Sequence, residues 1–181
     1  MSMSHPYCVY VAGLIDEKDV DKMYHDNHYG VRIEDDNELF GRLIMEINQA
    51  GLSWRTILLK ENGFRKAYHN FDIKKVAKYG EKDFQRLMSD AGVIRNRLKI
   101  NAAIYNAQHL VQIQNEYGSF RKWLDIQAKD LSQDRTAWLK LFKKEFKFVG
   151  GEIVGEFLMS INMLEGAHDK RCPRYARMKK L

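Results

Sequence analysis

An all-α fold follows from three observations: proline is confined to the two ends, apolar residues recur three and four positions apart, and cap residues punctuate those runs. Pro6 and Pro173 are the only prolines in 181 residues, so nothing between them denies a helix its backbone N–H. No stretch reads as a strand run, an internal repeat or a low-complexity linker.

From Asn37 to Ala50, Leu39, Phe40, Leu43, Ile44 and Ile47 share one stripe. Asp35-x-x-Glu38 resembles a capping box at its start, and Gly51 stops it. Ser53 caps a following helix with Ile57 and Leu58 that is expected to end near Asn62-Gly63. Asp72 caps another through Val76 to Gly80. Lys82 to Ser89 gathers Phe84, Leu87 and Met88, and a long helix from Arg95 to Tyr117 carries Ile100, Ile104, Ala107 and Val111. Ser119 caps a helix with Trp123 and Leu124, and the polar stretch from Lys129 to Arg135 reads as a loop or boundary before Trp138, Leu141 and Phe142. Gly150-Gly151 opens a last helix with Ile153, Phe157, Leu158 and Ile161, expected to end at Gly166.

The length suits one well-buried domain, residues 1–181, with room for two helical lobes. Hydrophobic residues at 45% and charged residues at 30% exclude a disordered chain. The N-terminus lacks a basic region followed by an apolar run, and no stretch has the length of a membrane span, so a cytoplasmic protein without a membrane partner is expected. Thirty Lys and Arg against 24 Asp and Glu give +6, a bias toward polyanions such as nucleic acid. The Arg174-x2-Arg177-x-Lys179-Lys180 tail supplies much of that excess as a solvated terminus.

The two cysteines, Cys8 and Cys172, stand near opposite ends, each with a histidine in reach: His25 and His168. Zinc takes four nitrogen and sulfur ligands, and His168-x3-Cys172 sets an imidazole and a thiolate one helical turn or one tight loop apart. The alternatives are a Cys8–Cys172 disulfide, disfavoured in a cytosol, or two inert thiols. Elsewhere, Gly92 joins two amphipathic helices, with Arg95, Arg97 and Lys99 at the start of the second. Such a turn either holds a phosphate on its free N–H groups or is an ordinary corner with exposed arginines. Glu46, three residues from Leu43, borders the apolar stripe, where a carboxylate faces solvent or lines a cleft. Trp54, after a glycine turn, packs in the core or walls such a cleft.

Four stretches then resemble the 3-methyladenine DNA glycosylase I proteins, the bacterial Tag type of the helix–hairpin–helix DNA glycosylase superfamily. They are Tyr24-His-Asp-Asn27 with Gly30-Val31, Gln49-Ala-Gly-Leu-Ser-Trp54, Asp90 to Ile100, and Phe146-Lys-Phe-Val-Gly150 ahead of His168-x3-Cys172. The resemblance runs in family order from Cys8 to Cys172. It implies a helical, monofunctional DNA repair glycosylase that flips an alkylated base out of double-stranded DNA and hydrolyses its N-glycosylic bond without a redox or nucleotide cofactor. It implies structural Zn2+ on Cys8, His25, His168 and Cys172, Glu46 as the base-contacting and candidate catalytic carboxylate, and Tyr24, Trp54 and Tyr10 as base-binding aromatics. Gly92, Arg95, Arg97 and Lys99 become the DNA contacts. A monomer is expected, since nothing in the pattern demands a dimer. Two rivals are a non-catalytic zinc-stabilised DNA-binding module and a glycosylase of shifted alkyl-base specificity. The chain departs from the family pattern at Tyr10 and Asp21, where Trp and Tyr are common, at Glu145 in place of Gly, and at Gly151 and Glu152 in place of small hydroxyl residues.

Overall fold

The computed structural model describes residues 3–178, and among these every regular element is a helix. In chain order they are α1 (Pro6–Ala12), α2 (Val20–Asn27), α3 (Asp36–Gln49), α4 (Trp54–Leu59), α5 (Glu61–Ala67), α6 (Ile73–Val76), α7 (Glu81–Ser89), α8 (Arg97–Tyr117), α9 (Phe120–Leu131), α10 (Arg135–Glu145), α11 (Gly151–Ser160) and α12 (Tyr175–Met178). None is long and apolar enough to cross a membrane.

The central element is α3, which buries ten of its fourteen residues and packs against α4, α6, α8, α9 and α11. Its apolar stripe is the predicted one, Leu39 to Ile47, but Arg42, Glu46 and Asn48 are buried with it. Helix α8 holds α3 at both ends. At the N-terminal end Asp36 accepts hydrogen bonds from Gln114 Nε2 and from the Phe120 and Arg121 amides, so one carboxylate joins α8 to the start of α9. At the C-terminal end Lys99 Nζ donates to the carbonyls of Asn48 (2.8 Å) and Ala50 (2.6 Å), two groups that a helix end leaves without partners. Fourteen residues at ~1.5 Å rise span about 21 Å, close to the ~22 Å from Lys99 to Gln114, so the two helices match in length.

Several boundaries differ from the sequence expectation for local reasons. Asn62-Gly63 lies inside α5, because α4 has already closed at Lys60. Helix α8 begins at Arg97 rather than Arg95, since the Asn96 side chain accepts from the Leu98 and Lys99 amides. Helix α9 runs on to Leu131, and α11 ends at Ser160, six residues before Gly166. Asp35 caps α3 as expected, but Glu38 turns to Arg65 rather than completing the capping box. Glu145 pairs with His109 across α8 and α10. The tail cations Lys179 and Lys180 and the Arg177 side chain lie outside the described residues.

The helix–turn–helix of α7 and α8 is seated on α5 by a close backbone approach: a Cβ on Gly63 would overlap the carbonyl of Gly92. Lys60 Nζ also donates to the Ala91 carbonyl, at 2.7 Å. In an open helix Gly→Ala would add about 1 kcal/mol of stability. Here Gly63→Ala should instead cost about 1–3 kcal/mol, measured by urea denaturation, as overpacking does.

Candidate functional site

A cleft of about 930 Å3 opens between the N-terminal helices, the end of α3 and the start of α11. Tyr24 of α2, Glu46 of α3 and Trp54 at the start of α4 meet in it as the sequence predicts, the two rings 5.0 Å apart and tilted by 60°. The chain reaches Trp54 through Gly51, whose φ of +80° suits glycine, and Ser53 then caps α4 by accepting from the Thr56 amide. The indole N–H of Trp54 is buried and has no acceptor among the described residues.

Glu46 is 3% exposed, and among the described residues its carboxylate receives no hydrogen bond. Burial pushes its pKa up to about 8; Arg42 pulls it down and Glu156 pushes it further up. The Arg42 guanidinium is itself committed to the Tyr24 hydroxyl, 2.8 Å away. An empty cleft at neutral pH therefore holds a protonated carboxyl that a cationic ligand would ionise.

Tyr10 does not join this group. It is 47% exposed and stacked on Tyr7, which takes the place in the cleft lining. Positions 7 and 10 share a face of α1, and the cleft lies toward its N-terminal end. The departure at Asp21 serves Tyr7: its buried carboxylate pairs with Arg55 at 2.7 Å, and its main-chain carbonyl accepts from the Tyr7 hydroxyl at 3.1 Å. Tyr7, Tyr29 and Glu156 were not legible as lining residues. Only the neighbourhood of Tyr7 to Cys8 and of Tyr29 to the Tyr24 motif hinted at two of them.

At the second predicted site, Cys8, His25, His168 and Cys172 are all buried and converge, with ligand atoms within 4.8 Å of one another. Both thiols are free. His25 Nε2 lies 3.2 Å from His168 Nδ1, and the four sulfur–nitrogen separations run from 3.5 to 3.7 Å. The remaining ring nitrogens face acceptors: His25 Nδ1 meets Asp26 at 2.8 Å, and His168 Nε2 meets the Tyr29 carbonyl at 3.0 Å. Asp26 is in turn held by Arg174. This is the outer support that imidazole ligands of a metal require, and the four donors fit one ion.

At the α7–α8 turn, Arg95 and Arg97 are exposed and Gly92 is half-buried. Lys99 is 5% exposed and bound to the end of α3, so it is not a surface cation as the spacing implied. Asn96 also occupies two of the α8 amides expected to be free. Those of Ile94, Arg95 and Arg97 remain without acceptors among the described residues.

Fold and cleft together define a helical protein built to enclose a flat, electron-poor ring between aromatic faces and a carboxylate. Residues 14–175 match the family model for methyladenine glycosylase, and the chain belongs to that family. It is 39% identical over 157 residues to DNA-3-methyladenine glycosylase 1 of Escherichia coli K12, covering 78% of this chain and 84% of that one. It is 31% identical over 166 residues to the DNA-3-methyladenine glycosylase of Haemophilus influenzae, covering 83% and 89%. Among solved structures, 3-methyladenine DNA glycosylase I from Staphylococcus aureus superposes with a TM-score of 0.80 at 33% identity, over 93% of this chain and 96% of that one.

The raised pKa of Glu46 has a consequence for stability. The folded chain holds this proton more tightly than the unfolded one, so the contribution is complete below about pH 4.5 and is lost as pH rises through about 8. Glu46→Gln stays neutral throughout. Its stability relative to wild type should rise by about 2–5 kcal/mol between pH 5 and 8.5, read by denaturant titration at each pH.

Proposed function

We propose that this protein is a monofunctional DNA-3-methyladenine glycosylase that draws an alkylated base from double-stranded DNA into the cleft and hydrolyses its N-glycosylic bond. The observation that carries the reading is Glu46, a carboxylate buried without a donor in one cleft with Tyr24 and Trp54. A 3-methyladenine base in DNA is cationic. Aromatic faces attract it, and an ionised Glu46 accepts from its exocyclic amine, so it is favoured over neutral adenine. Methylation has already weakened the bond to the sugar, and bound Glu46 stabilises positive charge that grows there as the base leaves.

The α7–α8 corner then acts as a helix–hairpin–helix contact, with Gly92 allowing close approach and Arg95 and Arg97 facing the phosphates. Lys99 is a positioning residue joining that corner to α3. The ion we assign to the Cys/His cluster is zinc, in a structural role. Bonds of ~2.3 Å to sulfur and ~2.0–2.1 Å to nitrogen give tetrahedral edges of about 3.5 Å and 3.3 Å, which the separations support. Four protein ligands leave no position for a water, so hydrolysis is not routed through it. We further assign the protein to the cytoplasm, as a monomeric single domain.

Excision of 3-methyladenine from methylated DNA tests the reading: wild type should release free base, and Glu46→Gln should lose about 100-fold or more. Unchanged release by the variant would sink the assignment of Glu46, and no release by wild type would favour a non-catalytic DNA-binding module. Borohydride should trap no covalent DNA complex. Removal of the ion with a chelator should lower the unfolding temperature and weaken base binding together, because His25 and His168 fix the neighbours Tyr24 and Tyr29; metal-free protein that kept both would contradict the link.

A further inference from the structure

Glu156, on α11, lines the same cleft as Glu46. Its carboxylate is aimed rather than free to swing. The hydroxyl of Tyr29, a residue only 5% exposed, donates to Glu156 Oε2 at 3.0 Å, while Oε1 has no donor among the described residues. Tyr29 is itself fixed on both sides: its carbonyl meets His168, and the next amide, of Gly30, donates to the Ser160 carbonyl at the end of α11.

The charge around this carboxylate depends on what occupies the cleft. No lysine or arginine is among the described residues that line the cleft; the buried Arg42 guanidinium keeps its positive charge while it donates to the Tyr24 hydroxyl, and it lowers the Glu46 pKa. Glu46 and Glu156 repel each other, one reason the Glu46 proton is held so firmly. Glu152 lies at the exposed rim, where solvent screens it. While Glu46 is protonated, the charges of Arg42 and Glu156 offset each other; once a cationic ligand ionises Glu46, two carboxylates face Arg42 and the charge of the ligand completes the balance.

We propose that Glu156 is a specificity-determining residue of the base site, the second carboxylate by which the cleft selects a cationic purine over its neutral counterpart. This deepens the glycosylase reading and rests on it. Glu46 can both meet the exocyclic amine, a group that neutral and cationic adenines share, and attract the cation that ionises it. Glu156 adds a field that only the cation feels, so its effect falls on discrimination between the two.

The test uses 3,9-dimethyladeninium, whose charge is permanent, and 9-methyladenine, its neutral counterpart, each titrated against the full-length protein by tryptophan fluorescence. Glu156→Gln should weaken the cation about tenfold and leave the neutral base within about twofold, the size expected for one charge at this range in a partly solvated site. Tyr29→Phe, which releases the carboxylate without removing it, should move in the same direction by less, and Glu156→Asp should restore part of the loss. Unfolding midpoints should stay near wild type. Equal weakening of both ligands, or no change in either, would overturn the role of Glu156. Wild-type protein that bound neither ligand and released no base from methylated DNA would overturn the glycosylase reading instead.

Discussion

The grip of α8 on α3 is the constraint on which the rest of the molecule depends. Lys99 at one end and Gln114 at the other meet the two ends of α3, and their separation along α8 matches its length. Lys99 is buried at a cost, and desolvation lowers its pKa. Two carbonyls at the negative end of a helix dipole offset that cost. The outcome is that Gln49, Gly51 and Trp54 leave α3 along a fixed path, and Glu46, one turn earlier, cannot retreat from the cleft.

Burying Glu46 without donors disfavours its charged form, so the fold holds it as a protonated carboxyl until a cation enters. Tyr24 and Tyr29 flank it, each beside a histidine of the Cys/His cluster, so the two termini meet behind the cleft wall. In the function we propose, stability, ion binding and recognition of a base are thereby linked through the same few side chains. The α7–α8 corner reaches the site through the same lysine, which ties the surface we assign to phosphate contact to the depth of the pocket we assign to a base.

Much of this was legible in the sequence, for identifiable reasons. The stripe of α3 and the caps at Asp35, Ser53, Asp72 and Ser119 are local, so spacing and residue type revealed them. Tyr24, Glu46 and Trp54 sit in short motifs whose order is preserved, and the four Cys/His residues are conspicuous by rarity. What failed was tertiary. Lys99 looks like any basic residue at a helix start until the end of α3 is brought against it, and Tyr10 differs from Tyr7 by one turn of a helix whose direction no local pattern sets. The partnership of Tyr29 with Glu156 spans 127 positions and two elements with no shared motif.

Binding of an alkylated base in the cleft is the central claim, and the Trp54 indole N–H reports on it most directly. In a 1H–15N NMR titration with 3-methyladenine, only one of the three indole signals should shift. Trp54 should move and saturate at one equivalent, while Trp138, bound to the Ser132 carbonyl, and buried Trp123 stay in place. A Trp54 signal unmoved by the base, with or without changes elsewhere, would contradict it.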